Sequence, residues 1–260
     1  MKDRERGSSE ALGAVKPWYE EAFGELYPIV YAHRDLTEAE AIARLVETRR
    51  TLAGKRFLDL GCGAGRFASV LHQRGAAVIG LDLSRSLLRL VPGNAPGVPR
   101  VRADMRRVPL DRGSVDGVFS VFTSFGYFAD PQHNLEVIRE VARVLAAGGF
   151  YFLDLGQPAW VRRRLVPQST RRNGPWRIEE RRRLEDGGRW VVKDVRVRHT
   201  EDGREKQWRE TVRLYEREEM QSILEDSGFR LDRVWGDYDG AQPGADRSRL
   251  IFLAERGRTP

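Results

Sequence analysis

The tightest constraint in the sequence is the run Phe57-Leu58-Asp59-Leu60-Gly61-Cys62-Gly63-Ala64-Gly65-Arg66. An apolar stretch leads straight into three alternating glycines, and a helix-forming stretch follows over 65–74. A strand that must turn at once into a helix needs positive φ angles, which glycine adopts at little steric cost. The turn also exposes the first N–H groups of the helix, so a ligand can approach the backbone closely. Asp82 follows one strand–helix unit later, at the end of the next apolar run (77–81). A carboxylate there can accept hydrogen bonds from both hydroxyls of a ribose. Alone, Asp82 or Ser84 could equally cap the following helix. The dinucleotide fingerprint G-x-G-x-x-G asks for glycine at position 66, and Arg66 stands there.

Beyond this turn the texture alternates. Strands are expected over 56–60, 77–81, 98–102, 115–121 and 150–154, with helices over 65–74, 83–90 and 134–145. Run 115–121 is apolar on both faces, as a central parallel strand should be. Such alternation implies right-handed βαβ units and a mainly parallel sheet. Residues 158–175, rich in arginine and proline, read as a linker. Three strand-like runs follow at 176–184, 189–199 and 205–214, joined by Glu185-Asp186-Gly187-Gly188 and Glu201-Asp202-Gly203, both hairpin chemistry. They predict an antiparallel sheet inserted into the α/β core. The core pattern returns with a helix over 217–227 and strands at 229–235 and 249–254. Ahead of the glycine turn, residues 17–50 read as helices, and Thr37 with Glu40 signals a capping box. The chain thus divides into a flexible tail (1–16), a helical cap (17–54), a core (55–157), a linker with inserted sheet (158–214) and the rest of the core (215–260).

Composition narrows the function classes. Hydrophobic residues at 40% and charged residues at 32% suit an ordinary globular protein. No apolar stretch is long enough to span a bilayer, and the charged first ten residues lack a signal-peptide core. Cys62 is the single cysteine, which excludes disulfides and cysteine-based zinc sites within one chain and makes cytoplasmic residence the default. The net charge of +7 is interleaved with acids. Forty arginines against five lysines fit a base-composition bias as well as a nucleic-acid surface. The four histidines, His33, His72, His133 and His199, lie far apart, so no metal is expected.

Asp59-Leu60-Gly61-Cys62-Gly63-Ala64-Gly65 resembles the first motif of class I S-adenosylmethionine-dependent methyltransferases. Further motifs of that family are matched in order by Gly80-Leu81-Asp82-Leu83-Ser84, Arg102-Ala103-Asp104-Met105, Ser114-Val115-Asp116-Gly117-Val118-Phe119 and Arg143-Val144-Leu145-Ala146-Ala147-Gly148-Gly149. The resemblance implies a Rossmann-like α/β fold: a mainly parallel seven-stranded sheet with an antiparallel last strand, an N-terminal helical cap and the inserted antiparallel β-sheet. It implies S-adenosylmethionine as cofactor and S-adenosylhomocysteine as product. The cofactor contacts carried over are Asp59, Gly61, Cys62, Gly63 and Gly65, with Asp82 and Leu83 at the ribose, Asp104 and Met105 at the adenine, and Phe122. Cys62 reads as a buried spacer rather than a nucleophile.

The acceptor is read from the variable parts. Phe122-Thr123-Ser124-Phe125-Gly126-Tyr127-Phe128 lacks the (N/D)PPY motif of adenine and glutamine amino-methyltransferases and, with the insertion, resembles small-molecule members, nearest the sugar-amine and glycine N-methyltransferases. A methyl acceptor with a reactive N or O atom is therefore expected. Tyr127 is placed in the methyl-transfer cavity, with packing as the plainer role. Tyr27 and Tyr31 would close over the cofactor, and Arg34 would pair with the carboxylate of its methionine part. His133 is a candidate base for an oxygen acceptor, or merely begins a helix. Glu210, Arg213 and Tyr215 are placed on one strand face that reaches the substrate. The alternatives are an RNA or protein methyltransferase using arginines in 162–183, a non-catalytic cofactor-binding protein, and a nicotinamide oxidoreductase. Nucleic acid is not favoured as a partner, no membrane partner is expected, and the inserted sheet could cap the site or form a homodimer contact.

Overall fold

The computed structural model describes residues 17–32 and 35–257. The expected tail (1–16), His33 and Arg34 lie outside the described residues. In chain order the elements are α1 (Trp18–Ala22), α2 (Tyr27–Val30), α3 (Thr37–Glu47), β1 (Arg56–Leu60), α4 (Arg66–Gln73), β2 (Ala77–Asp82), α5 (Arg85–Leu88), α6 (Val91–Asn94), β3 (Arg100–Arg102) and β4 (Val115–Ser120). Then come α7 (Pro131–Val144), β5 (Leu145–Gly156), α8 (Pro158–Arg164), β6 (Gln168–Asn173), β7 (Trp176–Glu185), β8 (Trp190–His199), β9 (Glu205–Arg213), α9 (Arg217–Asp226), β10 (Phe229–Trp235) and β11 (Arg249–Arg256).

Seven strands form one sheet in the order β10-β11-β5-β4-β1-β2-β3. β1 runs parallel to both β2 and β4, and β4 parallel to β5. β11 is antiparallel to β5 and to β10, as the resemblance implied for the last strand. Alternation along the strands feeds two apolar layers. Phe57, Phe119, Phe150 and Phe152 point to the side of α3 and α4. Leu58, Leu60, Val118, Tyr151 and Leu153 point to the side of α7 and α9. Both faces of the central strands are therefore covered, which explains why their sequence is apolar throughout.

Several expectations need correction. The inserted sheet has four strands, β6-β7-β8-β9, because the stretch read as a linker contains α8 and β6. β6 alternates polar residues, Gln168 to Asn173, and carries no apolar signal; it is held as an edge by its ladder to β7. The single helix expected over 83–90 is two short ones, α5 and α6. The strand expected over 150–154 is longer: β5 begins at Leu145 and runs through Gly148 and Gly149 to Gly156. The capping box at Thr37 does not form: α3 starts without a side-chain cap, and the Asp35 carboxylate accepts the Thr37 amide instead, at 2.9 Å.

The N-terminal segment packs on the inserted sheet. Ala22 and Val30 join Ile178, Val195, Val197 and Trp208 in one buried cluster, with Trp18, Leu26, Ile29 and Tyr31 against it. Arg171 donates to the Val30 carbonyl at 2.5 Å and Asn173 to the Ile29 carbonyl at 2.9 Å.

Candidate active site

β1, β2 and β4 end on the same sheet edge, and the strand order reverses between β1 and β4. Open α/β sheets hold ligands at this point. A cavity of about 920 Å³ opens there. Its wall contains Asp59, Gly61, Cys62, Gly63, Asp82, Leu83, Asp104, Met105, Phe122, Tyr31 and Tyr127, which brings together residues from the end of α2 to the segment after β4.

The glycine turn is set by its backbone. Gly61, Gly63 and Gly65 have φ of 81°, 55° and 85°. A Cβ on Gly61 would sit 2.9 Å from Ser124 Cβ, so the loop and the segment after β4 touch closely. Gly65 has a different duty. It caps α4 in a left-handed conformation and packs against Val91, where a Cβ would stand 3.2 Å from a methyl. It is not part of the cavity wall.

Asp82 Oδ2 accepts the Gly63 amide and Oδ1 the Ser84 amide, each at 2.8 Å. Ser84 takes the capping duty: its Oγ accepts from the Leu87 amide at 3.1 Å and donates to the Phe23 carbonyl at 2.5 Å. The Asp82 carboxylate therefore stays at the cavity wall. Burial raises its pKa, against the lowering pull of the Ser84 and Gly63 amides. Asp59 is buried more deeply. Its Oδ2 accepts from the Ala68 amide at 3.1 Å, and its Oδ1 has no partner. Desolvation pushes this carboxyl up to about 7. Burial also raises the Cys62 thiol, which suits a spacer and not a nucleophile.

At the far side of the loop, Arg106 grips both oxygens of Asp104, with the closest approach at 2.6 Å. Burial opposes ionisation of Asp104, but these hydrogen bonds hold it below the usual carboxylate range. An adenine contact here would share the carboxylate with Arg106, whose guanidinium also covers the Phe128 ring at 4.6 Å.

These features fit S-adenosylmethionine. The Asp82 carboxylate lies at the wall as an acceptor, the glycines of the loop put backbone rather than side chain at the cavity, and the orphaned Asp59 oxygen suits a donor group. When bound, this cofactor supplies a methyl group already activated on a sulfonium.

The cap closes the cavity with aromatic rings. Tyr127 meets Trp18 at 5.2 Å and Phe23 at 5.5 Å between ring centroids, and Trp18 Nε1 donates to the Tyr127 carbonyl at 3.3 Å. The Tyr27 ring lies tilted against Tyr31, with centroids 4.5 Å apart. Beyond them the inserted sheet contributes Arg182, Lys193 and Glu210. Lys193 and Glu210 are cross-strand neighbours and lie 2.5 Å apart. Tyr31 Oη donates to both Glu210 oxygens at 2.9 Å and accepts from Lys193, and Trp208 Nε1 donates to Glu210 at 3.0 Å. Behind them lies Glu180. Burial works against its charge, yet Arg171, Lys193 and Arg182 hold its carboxyl at about 2.

Other candidates fall elsewhere. His133 sits in the first turn of α7, edge-on to Phe128 at 5.9 Å and outside the cavity wall. Arg213 pairs with Glu219, and Tyr215 is buried against Phe125; only Glu210 of the expected trio reaches the cavity. Lys193 carries no signal of its own in the sequence, since strand register brings it to the cavity, and Arg182, one of the arginines in 162–183, lines the same cavity. Sequence reasoning missed Asp154, a lone carboxylate in an apolar strand, which was a visible signal. Among the described residues no cluster of three His, Cys, Asp or Glu side chains is placed to hold a metal ion.

A family model described as a methyltransferase domain matches residues 57–149. The chain is 25% identical to a putative methyltransferase, YqeM, of Bacillus subtilis, over 78% of this chain and 85% of that protein. It is 31% identical to the cypemycin N-terminal methyltransferase of a Streptomyces species, over 54% of this chain and 57% of that protein, little more than half its length. In structure it is similar to the sugar N-methyltransferase KedS8 from a Streptoalloteichus species, with a TM-score of 0.71 at 22% identity over 99% of this chain and all of that one. A SAM-bound amino pentose methyltransferase, CalS10, from Micromonospora echinaspora gives 0.67 at 24% identity, over 89% and 96%. Residues 57–149 thus carry a methyltransferase domain, and the motifs within it are assembled at one edge of the seven-stranded sheet.

Proposed function

We propose that the chain transfers a methyl group to a nitrogen or oxygen of a small-molecule acceptor, with an amine-bearing sugar as the first class to test. One observation carries the reading: the cavity runs from the glycine loop, past the aromatic cap, to a polar end built by Glu210, Lys193 and Tyr31. An acceptor there is covered by α1, α2 and the inserted sheet, which excludes water. Such cover suits a small ring better than a polymer. The two structural neighbours named as sugar or amino pentose methyltransferases support the choice.

In this reading Asp82 and the Gly61–Gly63 loop hold the cofactor, Asp104 and Met105 border its adenine, and Phe122 and Tyr127 form the wall where the methyl passes. Alignment is the main contribution of the protein, since in-line placement alone contributes about 7–11 kcal/mol at best. Residues 17–54 serve as cap, 55–157 with 215–260 as core, and 158–214 as acceptor platform. Cytoplasmic residence belongs to the same reading and rests on the single cysteine. Among the described residues no helix is long and apolar enough to cross a membrane.

The test is a screen with labelled S-adenosylmethionine against amino sugars, their nucleotide conjugates, phenols and short peptides. Label entering an amino sugar supports the proposal. Label entering only the peptides overturns it.

A further inference from the structure

We propose that Asp154, Arg249 and Tyr238 are positioning residues: they preset a left-handed turn at Phe122 and Thr123, and with it the cavity wall, before the cofactor arrives. The turn is the starting observation. Phe122 and Thr123 have φ of 57° and 61°, directly after β4. Two adjacent non-glycine residues in this region are strained, and threonine, branched at Cβ, is a genuine outlier there. Such strain persists only where the surroundings over-determine it, and it gathers at functional sites.

A single carboxylate does the over-determining. Asp154 is fully buried at the end of β5. Its Oδ2 accepts the Phe122 amide at 2.7 Å and the Tyr238 hydroxyl at 2.8 Å. Its Oδ1 accepts from Arg249 Nε at 2.7 Å and from a terminal nitrogen of Arg249 at 2.5 Å. The Thr123 amide donates to the Asp154 carbonyl at 3.2 Å, and Arg249 reaches Thr123 Oγ1 at 3.3 Å. Both amides of the turn and the Thr123 hydroxyl are thus tied to β5 or β11.

What the turn holds is the site itself. Phe122, Thr123, Tyr238 and Arg249 all line the cavity. The Phe122 ring carries the Arg66 guanidinium at 3.7 Å. The next residue, Ser124, donates to the Leu60 carbonyl at 3.1 Å and touches the position a Gly61 side chain would need. Tyr127 follows three residues later. The turn therefore sets the spacing between the cofactor loop and the acceptor wall. Without Asp154, the chain after β4 would relax toward extended backbone and carry Phe122 away from its place.

Calorimetry with S-adenosylhomocysteine on the full chain, well below the melting temperature, tests this. If Tyr238→Phe or Arg249→Lys leaves roughly 10–20% of molecules with the turn preset, the apparent Kd rises about 5–10-fold, as the inverse of that fraction. Thr123→Asn, which accepts left-handed backbone far better, should recover most of that loss when added to Tyr238→Phe. A purely structural role would lower the melting temperature with no change in affinity and no rescue. That pattern overturns the proposal. Wild-type protein that fails to bind S-adenosylhomocysteine overturns the cofactor assignment and this proposal with it.

Discussion

The Lys193 ammonium and the Glu210 carboxylate face each other across β8 and β9 at 2.5 Å, and Tyr31, from the N-terminal cap, hydrogen-bonds to both. The pair is mostly buried, with side chains 15% and 11% exposed. Glu210→Ala removes one partner of Lys193 and leaves the Glu180 carboxylate 3.9 Å from its ammonium. Breaking such a pair costs about 3 kcal/mol or more. Glu210→Gln keeps the shape and should cost less. In both variants the acceptor KM should rise while S-adenosylhomocysteine binds as in wild type; an unchanged KM would separate the pair from acceptor recognition.

Asp82 stands at the cavity wall beside the glycine loop and accepts the Gly63 amide. Asp82→Asn removes the charge that strengthens hydrogen bonds to ribose hydroxyls. Charge-assisted bonds are worth about 1.5–3 kcal/mol, so the Kd for S-adenosylhomocysteine should rise roughly 10–100-fold. Calorimetry near pH 7.5 reads this directly, and an unchanged Kd would remove Asp82 from the ribose site.

Tyr127 sits among Trp18 and Phe23 in the cavity wall, on the side the proposed function gives to the acceptor. Tyr127→Ala should lower kcat at least about 10-fold and leave cofactor affinity within about threefold, the pattern of a group that matters most in the transition state. Tyr127→Phe separates the ring from the hydroxyl. Wild-type turnover in both variants would exclude the residue from the site.

Asp59 titrates near 7 in the folded chain and near 3.9 when unfolded. The folded state therefore keeps a proton that the unfolded chain has lost between about pH 4 and 7. The stability this group contributes is present below pH 4 and is lost as the pH rises through 7. Asp59→Asn cannot titrate, so its melting temperature should improve relative to wild type between pH 5 and pH 8. A constant difference across that range would refute the assignment.

Phe119 meets Phe57, Phe67, Phe150 and Phe152 with centroids 5.0–5.8 Å apart and is fully buried. Phe119→Ala opens a cavity at the sheet centre and should cost about 3–5 kcal/mol, read as a lower urea midpoint.

The cofactor end was legible because its chemistry is local. A glycine turn, a carboxylate one unit on and an apolar central strand are each written in consecutive residues, and the sheet brings them together by its connection rules. The acceptor end was not. Lys193 meets Glu210 only through the β8–β9 register, and Tyr31 joins them from more than 150 residues away. β6 escaped notice because its residues are polar on both faces and its strand state comes from pairing with β7. His133 looked chemical but serves the start of α7; periodicity cannot say which way a helix-start side chain points.

The cluster joining Ala22 and Val30 to Ile178, Val197 and Trp208 has a consequence for engineering. The N-terminal segment and the insertion share one apolar seam, so neither half can be exchanged alone without baring the other. Chimeras meant to alter acceptor preference should transplant both pieces from the same donor. The two stretches, distant in the gene, ought to diverge in step.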